Sequence, residues 1–226
     1  MLNLTAVKSK PLTGATISTQ GSVSYASGTG MNSFSLKTVK SGDLLLCYIE
    51  VDPGPATVTT VTSSNTDWVR VAQAIGGDGK DYELWAGKVT AAATDTVSLT
   101  FNGSAAASNV ETGCQEFTST RGSNWYVDTS GFLPWPDGTT ISYPALYARN
   151  SGSLNWAYGK TTDVGSAGST SGYSYSVTPQ ENVVCWSADV PGSQAPTAVT
   201  SDGSGYSIAV VVTDHAPASG AYLTVV

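Results

Sequence analysis

The sequence predicts an all-β protein, an antiparallel jelly-roll-like β-sandwich with an extended N-terminal arm. Residues 41–52 (SGDLLLCYIEVD) and 206–213 (YSIAVVVT) hold short, nearly unbroken apolar runs. Both runs are too short to span a membrane. Roughly a dozen strand-like segments recur at the spacing typical of a sandwich or barrel, and none carries the pattern of an amphipathic helix.

The two apolar runs predict central strands that are covered on both faces. Residues 41–52 lie between Ser-Gly-Asp and Asp-Pro-Gly-Pro, which are turn signals. The three consecutive valines of residues 206–213 suit a buried, pleated surface because they are stiff at χ1. We expect both strands to lie in the same sandwich.

The remaining strands are predicted from alternation and from the turn residues between them. In residues 95–101 (DTVSLTF), Val97, Leu99 and Phe101 share one face, so that face belongs to the core. Further strands are expected at residues 15–18, 33–39, 68–72, 81–90, 110–118, 139–143, 154–160, 173–177, 183–190 and 221–226. Residues 57–66, 119–138 and 164–172 are interpreted as loops.

The chain is interpreted as one large sandwich preceded by a distinct N-terminal stretch. Its 226 residues fall within the range of single all-β domains. Residues 1–40 are expected to form an extended basic arm or edge strands, and residues 41–226 the sandwich. The segment 119–138 is the best place for a boundary between sub-domains, but the sequence shows no internal repeat.

Charge is distributed unevenly along the chain. The net charge is −7, yet the first 42 residues carry only lysines: Lys8, Lys10, Lys37 and Lys40. The arm is therefore expected either to pack on its own domain or to dock on an acidic neighbouring subunit through these lysines. The acidic balance and the ten basic residues argue against nucleic-acid binding.

The cysteines and the N-terminus predict the cellular compartment. Cys47, Cys114 and Cys185 are far apart, and each lies in an apolar segment, so they are interpreted as buried small hydrophobes without a disulfide. The first residues contain no apolar signal region, and no segment reaches the length of a membrane span. We expect synthesis in a reducing cytoplasm, without membrane insertion.

No catalytic or metal-binding motif is evident. The single histidine, His215, follows Asp214 but lacks the elbow motif of a serine hydrolase. Scattered cysteines and one histidine do not supply a zinc site, and the Asp78 and Asp81 loop resembles a turn more than a calcium site. We therefore expect no enzymatic activity, no metal and no cofactor.

Carboxylates in strands leave one enzymatic alternative open. A sandwich face can hold the two carboxylates of a glycoside hydrolase, and Glu50, Glu83, Glu111 and Glu116 all lie in predicted strands. Spacing along the sequence does not pair them. Solvent-facing positions are the alternative interpretation.

The segment 119–138 is unusually aromatic and is the candidate binding site. Trp125, Tyr126, Phe132 and Trp135 offer flat faces that stack on sugars or anchor a protein contact, and Pro134 and Pro136 flank the last ring. Packing of these rings against the end of the sandwich is the structural alternative. The candidate ligands are a partner protein and a cell-surface glycan.

Several segments together resemble a known group of proteins. They are GDLLL (residues 42–46), WVRV (68–71), YELWAGKV (82–89), DTVSLTF (95–101) and GYSIAVVV (205–212). This pattern, over residues 40–215, resembles β-sandwich virion proteins of tailed double-stranded DNA phages.

The resemblance implies a structural role. It implies a non-enzymatic capsid decoration or minor capsid protein, assembled in the host cytoplasm, that binds major capsid subunits and further copies of itself. A minor tail or fibre protein that binds tail subunits, or a carbohydrate-binding adhesion module, is the alternative.

Overall fold

A computed structural model describes residues 16–52, 56–106, 108–149, 152–188, 192–215 and 222–225. These residues form eighteen strands and contain no helix. The strands are β1 (Ile17–Thr19), β2 (Ser24–Thr29), β3 (Ser33–Lys37), β4 (Leu44–Asp52), β5 (Val58–Thr62), β6 (Thr66–Ile75), β7 (Asp81–Val89), β8 (Thr94–Phe101), β9 (Asn109–Ser119), β10 (Trp125–Ser142), β11 (Leu146–Ala148), β12 (Leu154–Thr161), β13 (Gly165–Ser166), β14 (Ser174–Val177), β15 (Val183–Ala188), β16 (Gly192–Gln194), β17 (Thr197–Thr213) and β18 (Leu223–Val225).

The first nine strands form a jelly roll, in which early and late strands pair in nested order. Strand β2 pairs with β9, β3 with β8, and β4 with β7, all antiparallel. Strand β9 also lies beside β4. The strands divide into a first inner sheet, in the order β1/β2-β9-β4-β7-β6, and a first outer sheet, β3-β8-β5. This is the wrapped Greek-key arrangement of a jelly roll, so the predicted all-β sandwich is confirmed.

The second nine strands repeat the same order. Strand β10 pairs with β17, β11 with β16, and β12 with β15, while β17 lies beside β12. They form a second inner sheet, β14-β15-β12-β17-β10-β18, with β13 on β17, and a second outer sheet, β11-β16. The chain is therefore a tandem of two jelly rolls, a repeat that the sequence did not reveal.

One local feature of the repeat is visible in the sequence once the fold is known. Gly42 and Gly152 each precede an inner strand by two residues, and both have positive φ, +89° and +78°. A left-handed turn residue is needed at each position, which favours glycine. The strands that follow begin with Leu44 and Leu154, which both enter the same core.

Four layers result, and the two inner sheets pack face to face. Alternate residues of β4 point in opposite directions: Leu46 and Tyr48 face the second jelly roll, whereas Cys47 and Ile49 face the first outer sheet. Strand β17 lies across the same interface and is likewise buried on both faces. The prediction of two doubly covered strands is therefore confirmed, but the strands belong to different jelly rolls, whose inner sheets pack against each other.

The core between the inner sheets is rich in large side chains. We call it the junction core; its largest members are Tyr48, Tyr82, Phe117, Trp125, Trp156 and Tyr158. Burying side chains of this size contributes roughly 1.5–3 kcal/mol each relative to exposure. Each jelly roll therefore depends on the other for the cover of one apolar face.

All three segments that were interpreted as loops contain strands, and the shortest of these is the two-residue β13 at residues 165–166. Residues 58–62 form β5, and residues 125–138 belong to β10, which pairs with β17 along most of its length. Pro134 and Pro136 lie in this strand although proline lacks a backbone donor. Strand β10 is paired on one side only at these positions, so the missing donors break no ladder.

Residues 17–37 of the N-terminal stretch are edge strands. Strands β1 and β2 lie along one edge of the first inner sheet, and β3 lies at an edge of the first outer sheet. Residues 1–15 fall outside the described residues, so the proposed arm can be assessed only from residue 16 onward. Of the two alternatives for residues 1–40, edge strands describe residues 17–37.

The expectation of no disulfide was wrong. Cys47 and Cys114 are bonded to each other, and Cys185 is a buried free thiol. The two bonded residues are 67 positions apart in sequence, but the register of β4 and β9 places them directly opposite each other. Strand pairing, which the cysteine spacing does not encode, brings them together.

We expect air-oxidised protein, denatured without reductant, to show one titratable thiol per chain, Cys185, and three after reduction. Thiol titration with a chromogenic disulfide measures both values. The Cys185→Ser variant is the matched control and should show none before reduction. Three thiols in the oxidised, unreduced protein would contradict the assignment.

Candidate functional site

The four aromatic residues predicted as a binding face do not form one. Trp125 is fully buried in the junction core, where its indole N–H donates to the Gly42 carbonyl at 2.8 Å. Trp135 is buried in the core on the opposite face of the second inner sheet. The two tryptophans therefore stabilise packing, which was the structural alternative.

The other two aromatic residues of the set are half-buried. Tyr126 packs edge-on against Tyr222, with ring centroids 5.2 Å apart. Phe132 stacks on Tyr206 at 5.5 Å, and Tyr206 lines a surface cleft. Phe132 thus lies behind a residue that lines this cleft.

Two of the four predicted interface lysines can be located. Lys37, on the edge strand β3, and Lys40 are both exposed. Lys8 and Lys10 lie outside the described residues. The backbone N–H groups of Val39 and Lys40 donate to the Glu116 carboxylate, at 3.0 and 3.2 Å, which fixes the chain after β3.

His215 lies in a polar group that links the ends of β9 and β17. Its Nδ1 is 2.9 Å from Asp214 and 2.7 Å from Arg121. The Ser119 hydroxyl donates to the Asp214 carboxylate directly. In a catalytic triad the serine hydroxyl is hydrogen-bonded to the histidine. Here Ser119 is hydrogen-bonded to Asp214 instead, so the group has the residue types of a triad but not its connectivity.

The junction cluster is a second polar group, made of Glu50, Lys80, Glu111 and Lys160. Lys160 Nζ lies 2.5 Å from Glu111 Oε2 and 3.6 Å from Glu50 Oε2. Lys80 Nζ lies 3.2 Å from Glu50 Oε1. Both carboxylates are almost completely buried, with 2% of each side chain exposed, so the two lysines supply the compensating charge.

The two jelly rolls contribute different members of the junction cluster. Glu50 on β4 and Glu111 on β9 are register partners in the first inner sheet. Lys160 comes from β12 in the second inner sheet. The cluster therefore crosses the junction at the rim of the junction core.

Two stacked tyrosines cover the carboxylates on the core side. Tyr48 donates to Glu50 and Tyr158 donates to Glu111, each at 2.8 Å, and the two rings stack 3.9 Å apart. Burial, followed by the neighbouring carboxylates, raises the pKa of both phenols well above the usual value. Gly113 makes room for the stack, because a Cβ there would lie 2.5 Å from the Tyr158 ring.

A cleft of about 210 Å³ opens beside the junction cluster. Tyr82 and Tyr206 supply aromatic surface, with ring centroids 4.8 Å apart, and Lys80 and Lys160 supply charge. The remaining lining residues are polar or small: Asp78, Thr161, Thr162, Ser204 and Gly205. Such a mixture suits a polar, hydroxyl-rich ligand better than an apolar one.

Asp78 and Asp81, which were considered as calcium ligands, both accept hydrogen bonds from side chains of the protein. Asp78 accepts a hydrogen bond from Tyr82 and Asp81 accepts one from Gln73. Across the described ranges, no three metal-ligating side chains come together. These residues also contain no helix that is long and apolar enough to cross a membrane.

Sequence reasoning missed the junction cluster, although one signal was present. Lys160 follows Trp156 and Tyr158 at intervals of two residues, so all three share the core face of β12. A lysine on a core face needs a buried partner. The identity of that partner, Glu111, depends on how the two jelly rolls pack.

Comparisons of the chain with models of protein families, with curated proteins and with solved structures give no significant match. The candidate function therefore depends on the residues themselves.

Glu83 is a buried carboxyl group of the first jelly roll whose pKa is raised in the folded state. It accepts hydrogen bonds from the Val58 N–H at 2.8 Å and the Trp85 indole at 2.7 Å. Burial, reinforced by neighbouring Asp81, raises the pKa of Glu83 to about 8, although Trp85 and Arg70 oppose the rise. The folded chain holds a proton that the unfolded chain releases above its ordinary pKa of 4.5.

We therefore expect the free energy of unfolding to fall as the pH rises from about 5 to about 8, by at most about 1.4 kcal/mol per pH unit. The folded pKa is the higher one, so this stabilisation is complete at low pH and is lost as the pH passes about 8. Urea titrations should show a flatter pH dependence for Glu83→Gln. The exposed Asp67→Asn variant is the control, and equal slopes for Glu83→Gln and wild type would contradict the assignment.

Proposed function

We propose that the chain is a non-enzymatic structural protein on the surface of a tailed-phage particle. In this proposal it decorates the capsid or serves as a minor capsid protein, and its N-terminal stretch binds neighbouring subunits. The main support for the proposal is that two jelly rolls are joined through one buried core. A stiff body of this kind suits a particle component.

The strand pattern supports the proposal independently. The segments that resemble phage virion proteins are the inner strands β4, β6, β7 and β17, together with β8. Jelly rolls are common in viral capsid proteins and also in lectins. Because one fold hosts many functions, the fold supports a class of role and does not by itself choose a partner.

The charge distribution supports the assignment of the binding element. The first 42 residues contain four lysines and no acidic residue, while the rest contains six basic and seventeen acidic residues. Oppositely charged surfaces on adjacent copies attract each other and set their orientation. The N-terminal stretch of one copy is therefore suited to the acidic body of another copy, or to an acidic capsid subunit.

The disulfide is compatible with assembly in the host cytoplasm. Glutathione keeps thiols reduced there, and disulfides persist in oxidising surroundings. In this proposal, Cys47 and Cys114 remain reduced during assembly and oxidise after the particle leaves the cell.

We expect a chain that lacks residues 1–15 to fold normally but not to join particles. This truncation keeps β1, β2 and β3, so the sandwich edges stay covered. Quantitative mass spectrometry of purified particles measures copies relative to the major capsid protein, and thermal unfolding confirms the fold. Lys8→Glu/Lys10→Glu should reduce incorporation, with Lys8→Arg/Lys10→Arg as the charge-preserving control.

The copy number separates the two particle roles. Copies comparable in number to the major capsid protein indicate shell decoration, whereas a few copies per particle indicate the tail. Absence of the full-length chain from purified particles would contradict the proposal. Normal incorporation of the truncated chain would contradict the role of the N-terminal stretch alone.

A carbohydrate-binding role is the second candidate, and the cleft favours it. The Tyr206 ring, backed by Phe132, offers a stacking surface, and the hydroxyls of Thr162 and Ser204 offer hydrogen bonds to sugar hydroxyls. Stacking of a flat sugar face on an aromatic ring is a low-entropy contact. This site replaces the exposed face predicted for Trp125 and Trp135.

We expect Tyr206→Ala to weaken binding to host-cell glycans by about fivefold to tenfold, which corresponds to roughly 1 kcal/mol. Tyr206→Phe keeps the ring and should retain most of the binding. Tyr147, an exposed tyrosine on β11, gives the matched control Tyr147→Ala. Glycan-array titration checks this, and equal binding by Tyr206→Ala and wild type would exclude the cleft.

A further inference from the structure

An amide joins the ion pairs of the junction: Lys160 and Asn182 both contact the carboxylate of Glu111. Lys160 Nζ lies 2.5 Å from Glu111 Oε2, and Asn182 Nδ2 lies 2.6 Å from Glu111 Oε1. One carboxylate thus holds a lysine amine and an asparagine amide at the same time. An amine, a carboxamide and a shared proton carrier are the components of an amide exchange reaction.

The sheet register brings the amine and the amide onto the same face. Gly159 of β12 and Val183 of β15 are the last pair of their ladder, and Lys160 and Asn182 lie immediately beyond this pair. Tyr158 and Val184 both enter the junction core. Because side chains alternate along a strand, Lys160 and Asn182 point toward the same interface, where both contact the Glu111 carboxylate.

The surroundings hold the amide in a fixed position. Asn182 is completely buried, and its carbonyl oxygen accepts the Thr161 backbone N–H at 3.1 Å. Tyr158 donates to the same Glu111 oxygen that accepts from Asn182. The amide therefore has one orientation, with an N–H donor already placed on the oxygen that would become negative during an attack at Cγ.

Lys160 differs from the other lysine of the junction cluster in its access to an amide. Lys80 Nζ lies 2.8 Å from Asp52 and 3.2 Å from Glu50, so its two ion-pair partners are carboxylates. Lys160 forms an ion pair with the Glu111 carboxylate, which also accepts a hydrogen bond from Asn182. It also lines the cleft, which gives a leaving ammonia molecule a path to solvent.

We propose that Lys160 and Asn182 form an intramolecular isopeptide bond, with Glu111 as the catalytic proton carrier. Glu111 takes a proton from the Lys160 ammonium, and the neutral amine attacks the Asn182 side-chain carbonyl carbon. The Thr161 N–H stabilises the resulting oxyanion. The bond between Cγ and Nδ2 breaks as Glu111 returns a proton to the leaving nitrogen. The attacking nitrogen gives up its extra proton to the departing ammonia, so a neutral secondary amide and an ammonium ion result.

The reaction is balanced without a cofactor or an oxidant. A lysine ammonium and an asparagine carboxamide give a secondary amide and one ammonium ion, and Glu111 ends as it began. Each chain reacts once, so the bond is a self-modification and not turnover of a substrate. The inference is independent of the proposed particle role.

The position of Glu111 couples the reaction to folding of the whole chain. Glu111 belongs to the first jelly roll, whereas Lys160 and Asn182 belong to the second. The reacting groups therefore acquire their catalyst only when the two jelly rolls dock. The product covalently joins β12 to the start of β15, so it fixes the second inner sheet after correct docking.

Intact mass spectrometry of the reduced full-length protein tests the proposal directly. We expect a mass lower than the sequence mass by one ammonia molecule, and a branched peptide that joins Lys160 to Asn182 after proteolysis. The Lys160→Arg, Glu111→Gln and Asn182→Ala variants should all have their full sequence mass. Lys80→Arg is the matched control and should still lose ammonia.

Each possible result of these mass measurements either supports the isopeptide bond or overturns it. A folded wild-type protein that keeps its full mass overturns the proposal, whatever the variants do. Loss of ammonia that persists in Lys160→Arg also overturns it, because the loss then arises elsewhere. If a variant does not fold, the wild-type mass together with the branched peptide still establishes the bond, and their absence refutes it.

Discussion

Burial of two apolar faces against each other is the constraint on which this protein depends. Each inner sheet is apolar on both sides, and its own outer sheet covers only one of them. The face that contains Leu46 and Tyr48 is covered by the face that contains Trp156 and Val210. Separation of the two jelly rolls would expose both faces to water at once, a cost that scales with their large apolar area. The tandem is therefore one structural unit.

Polar groups mark both ends of this shared core. At one end Ser119, the last residue of β9, and Arg121, just after it, contact Asp214, which directly follows β17. At the other end Glu111 contacts Lys160 and Asn182. Buried ion pairs add little net stability over apolar packing, but an unpaired buried charge is costly. If the jelly rolls docked in another position, these charged groups would be buried without their partners, at a cost in free energy. The pairs therefore favour one relative position of the two jelly rolls.

The same rim also concentrates the chemistry that the molecule offers. The cleft beside Tyr206, the junction cluster and the amide of Asn182 are neighbours because the polar groups can face solvent only where the junction core ends. A cross-link between β12 and β15 would strengthen the sheet that supports the cleft. A body stiffened in this way fits a part that stays outside the cell and bears load, as proposed for a particle component.

The sequence by itself determined the strands whose pattern is local. Residues 44–52 and 206–213 indicated doubly covered strands because their apolar residues do not alternate, and residues 95–101 indicated a half-exposed strand because theirs do. Residues 125–138 of strand β10 were missed, whereas its end was predicted as a strand; the prolines of the missed part are acceptable only with a single paired neighbour, which is a property of the sheet. Tertiary structure alone decided that Cys47 meets Cys114, that Trp125 is buried, and that Glu111 meets Lys160 and Asn182. These contacts join residues tens of positions apart in the sequence. They are set by strand register and by the docking of the two jelly rolls, whereas a sequence pattern reports only the period of each strand.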